Sequence, residues 1–499
     1  MTVTDRAPRR FGTALALCGA AALAVNTGAG IASGAGRASI VAPLAVAAVA
    51  LLGLLALIRF AAFVLAVLLV RTALDAAKLD GELNTTGEAA SSAVPGWLDP
   101  GAILGVGFAV IGVAWLAAQP PRRARTRTVM ALPAAAVAMV AASALSLVGG
   151  RATGTAAGVA AGEVMRLAAM AVMLLVVERL VSDDQHRRVP LLAAVVASAV
   201  APVATTVYQV GTGNGLLDVH GILRPHGTFW HPNVLGVYSA LMLTVAVALL
   251  PRLSGRLGLN PRTGLVLLTC GLAVALVASH TRGAWLAAVA GLAVVAVLTG
   301  RRLLLVLGVA VLLPPLALPS VRARLTDAAG SAPGAPESSL TWRFEHWGQV
   351  LDLIGGNPVT GLGPGAARTA LGKEVHNDYL RALAETGFVG LLAYLALLAA
   401  FVLTARAALQ ATADLQASTD LQGSAGPLQE GALDRGVAAG FAGAVAVLAV
   451  FAIADNVMTT VAVQWYVAAL AGIALAIIRA RDTDEPPVPA PPNAPGGRP

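Results

Sequence analysis

Apolar windows of about 17 to 25 residues recur from one end of this sequence to the other, and that is the length an α-helix needs to cross the hydrocarbon of a bilayer. Lipid offers no partner for backbone N–H and C=O groups, so only helices and closed barrels span it, and the alternation of barrel strands is absent. A chain that is 57% hydrophobic and 12% charged, with a mean hydropathy of +0.77, has lipid as its working solvent. The expected fold is an all-α integral membrane protein, a polytopic helical bundle of about fourteen transmembrane helices with a long extracytoplasmic loop.

Hydropathy places the spans near 11–31, 39–57, 60–78, 101–119, 129–149, 159–181, 189–210, 233–250, 264–281, 284–299, 303–318, 387–405, 436–454 and 461–478. Arg9 and Arg10 ahead of the first window give it the look of a signal peptide, but with so many spans behind it we read an uncleaved helix. Cys18 and Cys270 lie inside apolar windows, so neither a disulfide framework nor a cysteine metal site is expected. With a cytoplasmic N-terminus, the basic loops around Arg122–Arg127, Arg187–Arg188, Arg252–Arg262, Arg301–Arg302 and Arg479–Arg481 all fall inside. Most of the excess of 34 Lys+Arg over 26 Asp+Glu therefore orients helices and is not a nucleic-acid footprint.

This topology exposes four segments outside: 79–100, 211–232, a hairpin tip at His280–Gly283, and the long loop 319–386. Trp342–Ile354 has helix-like apolar spacing and is expected to lie as an amphipathic helix on the outer face. Residues 407–430 and the Pro-rich end from Glu485 read as flexible cytoplasmic linker and tail. The organisation is thus 1–210 N-terminal helices, 211–405 the region of chemical interest, 406–478 linker and last two helices, and 479–499 a disordered tail.

Outer loops normally hold few basic residues, yet Arg224, Arg282, Arg322, Arg324, Arg343, Arg368 and Arg381 fall outside. Pairing with outer carboxylates such as Asp218, Asp327, Glu345, Asp352, Glu374, Asp378 and Glu385 is one cause, and an anionic ligand is the other. A guanidinium group is permanently charged and binds phosphate oxygens through two parallel hydrogen bonds. For Arg224, Arg282 and Arg343, which sit beside motif-like sequence, we favour the ligand. Titratable groups crowd at Glu374–Gly390, directly ahead of an apolar run, where ionisable side chains need mutual pairing or a charged partner. His376 stands out there beside Asn377, with Arg381 and Glu385 within two helical turns, and its near-neutral intrinsic pKa suits it to accept a hydroxyl proton or to bond a phosphate. No histidine spacing resembles a zinc motif, so no metal is expected.

These residues resemble the O-antigen ligase and polymerase superfamily of bacterial polytopic membrane proteins. His376-Asn377, nine residues, then Gly387-x-x-Gly390 is similar to the family's His-[Asn/Ser/Gln]-x9-Gly-x-x-Gly pattern. Arg224-Pro-His-Gly227 with Pro232-Asn233 looks like its Arg-x-x-Gly…Pro-Asn element, and Thr281-Arg282-Gly283 like its Ser-Arg-Gly turn with Thr for Ser. Arg343-x-x-x-Trp347 followed by Asn357-Pro358-x-x-Gly361-x-Gly363 resembles the segment ahead of the family histidine. The resemblance covers residues 220–400, and about two spans exceed the family's usual dozen.

The resemblance implies a glycosyltransferase of the broad GT-C type in the cell membrane, without a cofactor, acting on its extracytoplasmic side. It implies an undecaprenyl-diphosphate-linked glycan donor and a glycan or lipid-linked acceptor, polymerase being slightly favoured over ligase. His376, Arg282, Arg224 and Arg343 are the implied catalytic residues, with Asn377, Arg381, Arg368, Trp347 and Asn233 binding substrate. A transporter or flippase of lipid-linked glycans is the alternative, for which Glu163 with Arg166 and Arg71 with Asp75 are the intramembrane charges to watch.

Overall fold

The structure, a computed structural model, describes residues 50–77, 100–120, 127–150, 157–219, 222–250, 261–301, 339–422 and 428–484. Its helices are α1 Phe60–Leu74, α2 Pro100–Ala118, α3 Arg127–Gly150, α4 Ala157–Asp183, α5 Arg188–Ala197 and α6 Val200–Thr212, then α7 Pro232–Leu249, α8 Pro261–Ala278 and α9 Arg282–Thr299. After them come α10 Ser339–Ile354, α11 Ala366–Leu371, α12 Asp378–Gln422, α13 Leu428–Phe451 and α14 Val461–Asp484. The protein is a multi-pass helical membrane bundle, and among the described residues nine stretches are long and apolar enough to cross a bilayer.

Of the fourteen windows read from hydropathy, 11–31, 303–318 and most of 39–57 lie outside the described residues, as do Arg322, Arg324 and His220. The window at 60–78 contracts to the 15 residues of α1. The window at 189–210 is broken at Ser198–Ala199 into α5 and α6. Ser198 Oγ donates to the Val195 carbonyl at 2.6 Å and lies 2.8 Å from the Tyr238 hydroxyl, while the Ser198 carbonyl accepts from Thr72 Oγ1 at 2.7 Å. Side chains that compete for helical carbonyls in this way bend a helix inside the bundle.

Helices α7 and α14 are almost wholly buried and form the axis of the bundle. Helix α14 lies along α4 and α7 lies against α8, α9 and α13. With no hydrophobic force between helices in lipid, such contacts rest on close backbone approach at small residues. A Cβ added to Gly472 of α14 would stand 2.8 Å from the Leu174 carbonyl oxygen of α4, and one on Gly443 of α13 would stand 3.0 Å from that of Gly291 of α9. At one end of the bundle Arg188 pairs with Asp434 at 2.7 Å and Arg479 with Glu178 at 2.6 Å.

Differences from the sequence reading concern the connections. The segment 211–232 holds a small antiparallel hairpin, β1 Leu217–Val219 and β2 Ile222–Arg224, with Leu217 opposite Arg224. Most of the expected linker at 407–430 is helix, because α12 continues through Gln422. The stretch 342–354 lies within α10, which packs against α12.

Candidate functional site

Opposite the Arg188–Asp434 end, the hairpin, the starts of α7, α9 and α12, and the turn after α13 converge. Arg224 ends β2 and is 1% exposed. Its Nε donates to the Ser279 carbonyl at 2.8 Å, and its Nη2 donates to Thr281 Oγ1 at 2.9 Å and to Asn233 Oδ1 at 3.2 Å. One guanidinium thereby ties together the Arg224, Pro232-Asn233 and Thr281-Arg282 elements. The Asn233 amide then donates to Asp455 Oδ2 at 2.7 Å, and Asp455 Oδ1 lies 2.9 Å from His376 Nδ1. A hydrogen-bonded line runs from Arg224 through Asn233 and Asp455 to His376.

Local backbone chemistry sets the histidine. His376 adopts φ 54°, a left-handed conformation that a non-glycine residue holds only when its surroundings enforce it. Ahead of it, Trp347 Nε1 of α10 donates to the Val375 carbonyl at 3.0 Å and His346 Nε2 bonds that of Glu374 at 3.0 Å. Behind it, the Asn377 side chain accepts from the amides of Tyr379 and Leu380 at 3.0 and 3.1 Å, capping α12. The Asp378 N–H donates to the Ala452 carbonyl at 2.8 Å, and Asp378 Oδ2 accepts from the amides of Val457 and Met458 at 2.8 and 2.9 Å, so α12 holds the turn that carries Asp455. Trp342 stands edge-on to the His376 ring, with centroids 5.8 Å apart, and stacks on His346 at 4.8 Å.

Because a carboxylate only accepts, Nδ1 of His376 carries the proton in this bond, and the neutral tautomer that makes it has its lone pair on Nε2. Burial raises the Asp455 pKa, but His376, Arg343 and the Asn456 amide outweigh that effect and hold the carboxyl below the ordinary range. His231 is pushed to about 3 by burial and by the nearby Arg224 charge. Its neutral Nδ1 accepts from the Asn233 amide at 3.1 Å and caps α7. Burial also lowers the pKa values of His226 and His346. The result is an ionised Asp455 and permanent cations at one end of the bundle, among His226, His231 and His346, whose protonation burial disfavours.

The residues singled out from sequence distribute unevenly around this line. Arg282 opens α9 beside Thr281, half-buried, and Arg343 on α10 acts on Asp455. Arg368, whose side chain is 58% exposed, pairs with Glu374 at 3.2 Å. Trp347 engages the Val375 backbone and Asn377 caps α12, on either side of His376. Arg381 lies off the line, buried between Glu163 and Glu385 at 3.1 Å from each. Asp455 and Asn456 escaped the sequence reading. Their signal is an acid–amide pair in the short break between the last two apolar windows.

The two glycine motifs interlock. Gly387 interrupts α12 at φ 66°, ψ −168°, and loop 358–363 inserts against the break. Leu362 and Gly363 donate to the carbonyls of Ala384 and Glu385, each at 2.9 Å, and Phe388 donates back to that of Pro358 at 2.9 Å. A side chain at Gly361 would overlap the Glu385 backbone, and one at Gly387 that of Val359.

Such a bundle is a polytopic membrane protein that gathers an Asp–His pair and arginines at one end. Residues 265–395 match the family model described as O-antigen ligase, which supports the ligase and polymerase superfamily that the motifs resemble. The chain is a membrane enzyme of surface-glycan assembly. The matched segment contains Arg282, Arg343 and His376, whereas Arg224, Asn233 and Asp455 lie beyond it. No curated protein matches the chain.

Proposed function

We propose that this enzyme transfers a glycan from an undecaprenyl-diphosphate-linked donor to a glycan or lipid-linked acceptor at the outer face of the cytoplasmic membrane, with polymerisation favoured over ligation. The reading is carried by the line Arg224–Asn233–Asp455–His376 with Arg282 and Arg343 beside it. His376 Nε2 takes the proton of the acceptor hydroxyl as its oxygen attacks the anomeric carbon from the face opposite the diphosphate. The carbon–oxygen bond to the diphosphate breaks, its electron pair stays on the departing phosphate oxygen, and the anomeric centre inverts. Arginines held in a partly dehydrated site stabilise that growing charge. Asp455 keeps the imidazole in the reactive tautomer and stabilises the imidazolium formed.

A transporter draws less support, because the intramembrane charges it would use are locally paired. Arg71 meets Asp75 at 2.6 Å, and Glu163 pairs with Arg166 as well as with Arg381. The test is reconstitution of the purified protein with a lipid-diphosphate oligosaccharide and an acceptor. A new glycosidic bond formed by the wild type and lost in His376→Ala supports the transferase, and lipid movement across the bilayer without bond formation sinks it.

A further inference from the structure

Beside the Asp–His line, α3, α4 and α12 enclose a cavity of about 40 Å³ whose polar lining includes Glu163, Asp378, Arg381, Glu385 and Tyr394. That volume admits roughly two or three water-sized bodies. Arg381 bridges Glu163 and Glu385, and Arg166 also pairs with Glu163. Glu163, Glu385 and Asp378 thus lie around the Arg381 guanidinium in a largely buried setting. Among the described residues, Asp378 Oδ1, Glu385 Oε1 and the Tyr394 hydroxyl have no hydrogen-bond partner. Yet these side chains belong to residues only 2%, 4% and 1% exposed, and all three line the cavity.

Buried oxygens of this kind need an occupant. We propose that the cavity binds one monovalent cation, Na+ or K+ with its residual water, through Asp378 Oδ1, Glu385 Oε1 and the Tyr394 hydroxyl oxygen. Carboxylate and hydroxyl oxygens are the ligands that hard cations take. Because the other oxygen of Asp378 holds the Val457 and Met458 amides, the cation fixes both ends of one carboxylate and stiffens the turn that carries Asp455. The inference stands on this cavity and does not depend on the transferase reading.

The test is thermal unfolding of the full-length protein in nanodiscs, titrated with NaCl, KCl and choline chloride at constant ionic strength near neutral pH. A saturable rise in melting temperature with Na+ or K+ and none with choline is expected. Glu385→Gln, which removes one carboxylate from the cavity, abolishes the rise. Tyr394→Phe keeps every charge and the ring and raises the half-saturating concentration roughly fivefold. A wild-type melting temperature that ignores cation identity but follows pH would mean a proton neutralises the cavity, and the cation site falls. It falls equally if wild type and both variants respond alike to all three salts.

Discussion

Asp455 Oδ1 and His376 Nδ1 lie 2.9 Å apart although 79 positions separate them in the chain. One residue comes from the break between the last two helices and the other from the entrance of α12, so the pair forms only when the bundle closes. Asp455→Asn should reduce turnover by roughly 10²–10⁴-fold while leaving the acceptor KM nearly unchanged, because the amide can donate to Nδ1 and present the wrong tautomer. Steady-state rates of glycan transfer by the purified variant check this, and unaltered turnover would remove Asp455 from the mechanism.

Arg224 and Arg282 are expected to behave differently. Arg224 is buried and satisfies Ser279, Thr281 and Asn233 at once, so Arg224→Lys breaks the fork and should destabilise the folded protein by about 2 kcal/mol. Arg282→Ala should instead lower kcat/KM by roughly 10²–10³-fold through lost charge stabilisation. Melting curves and rates measured on the same preparations separate the two.

His231 gives the fold an acid limit. Below about pH 6.5 a histidine in the unfolded chain takes up a proton, whereas His231 in the folded protein refuses it until about pH 3. Stability should therefore fall as pH drops through that window, with a slope of at most about 1.4 kcal/mol per pH unit. His231→Asn keeps a capping side chain on α7 and removes the titration, so chemical denaturation at several pH values should show a flatter profile for the variant.

Gly387→Ala should cost at least about 3 kcal/mol or prevent folding, since the backbone there is left-handed and the added methyl overlaps Val359. Gly348→Ala is the matched control. It lies in α10 with no atom near its would-be Cβ, and it should stabilise by roughly 0.5–1 kcal/mol through helix propensity. Melting temperatures in detergent report both, and equal effects would contradict the interlocked glycines.

The helical bundle was legible because bilayer thickness writes itself into window length, and the motif arginines with His376 do gather at one end. Partners were not legible. Asp455 reads as an ordinary turn acid until α13 and α14 are packed against α12, and the neighbour that claims Arg381 sits on α4, far away in sequence. The resemblance implies that Trp347 and Asn377 bind substrate. Their hydrogen bonds go to backbone because the left-handed His376 must be held from both sides. Charge spacing reports which groups need a partner, and only packing assigns it.

Beyond its break at Gly387, α12 runs on to Gln422, roughly 50 Å of rise, against a hydrocarbon thickness of about 30 Å. Its far end must therefore stand clear of lipid in the compartment across from the histidine. A protease site or fluorescent tag placed near Gln422 would then reveal, by its own accessibility, on which side of the membrane the sugars are joined.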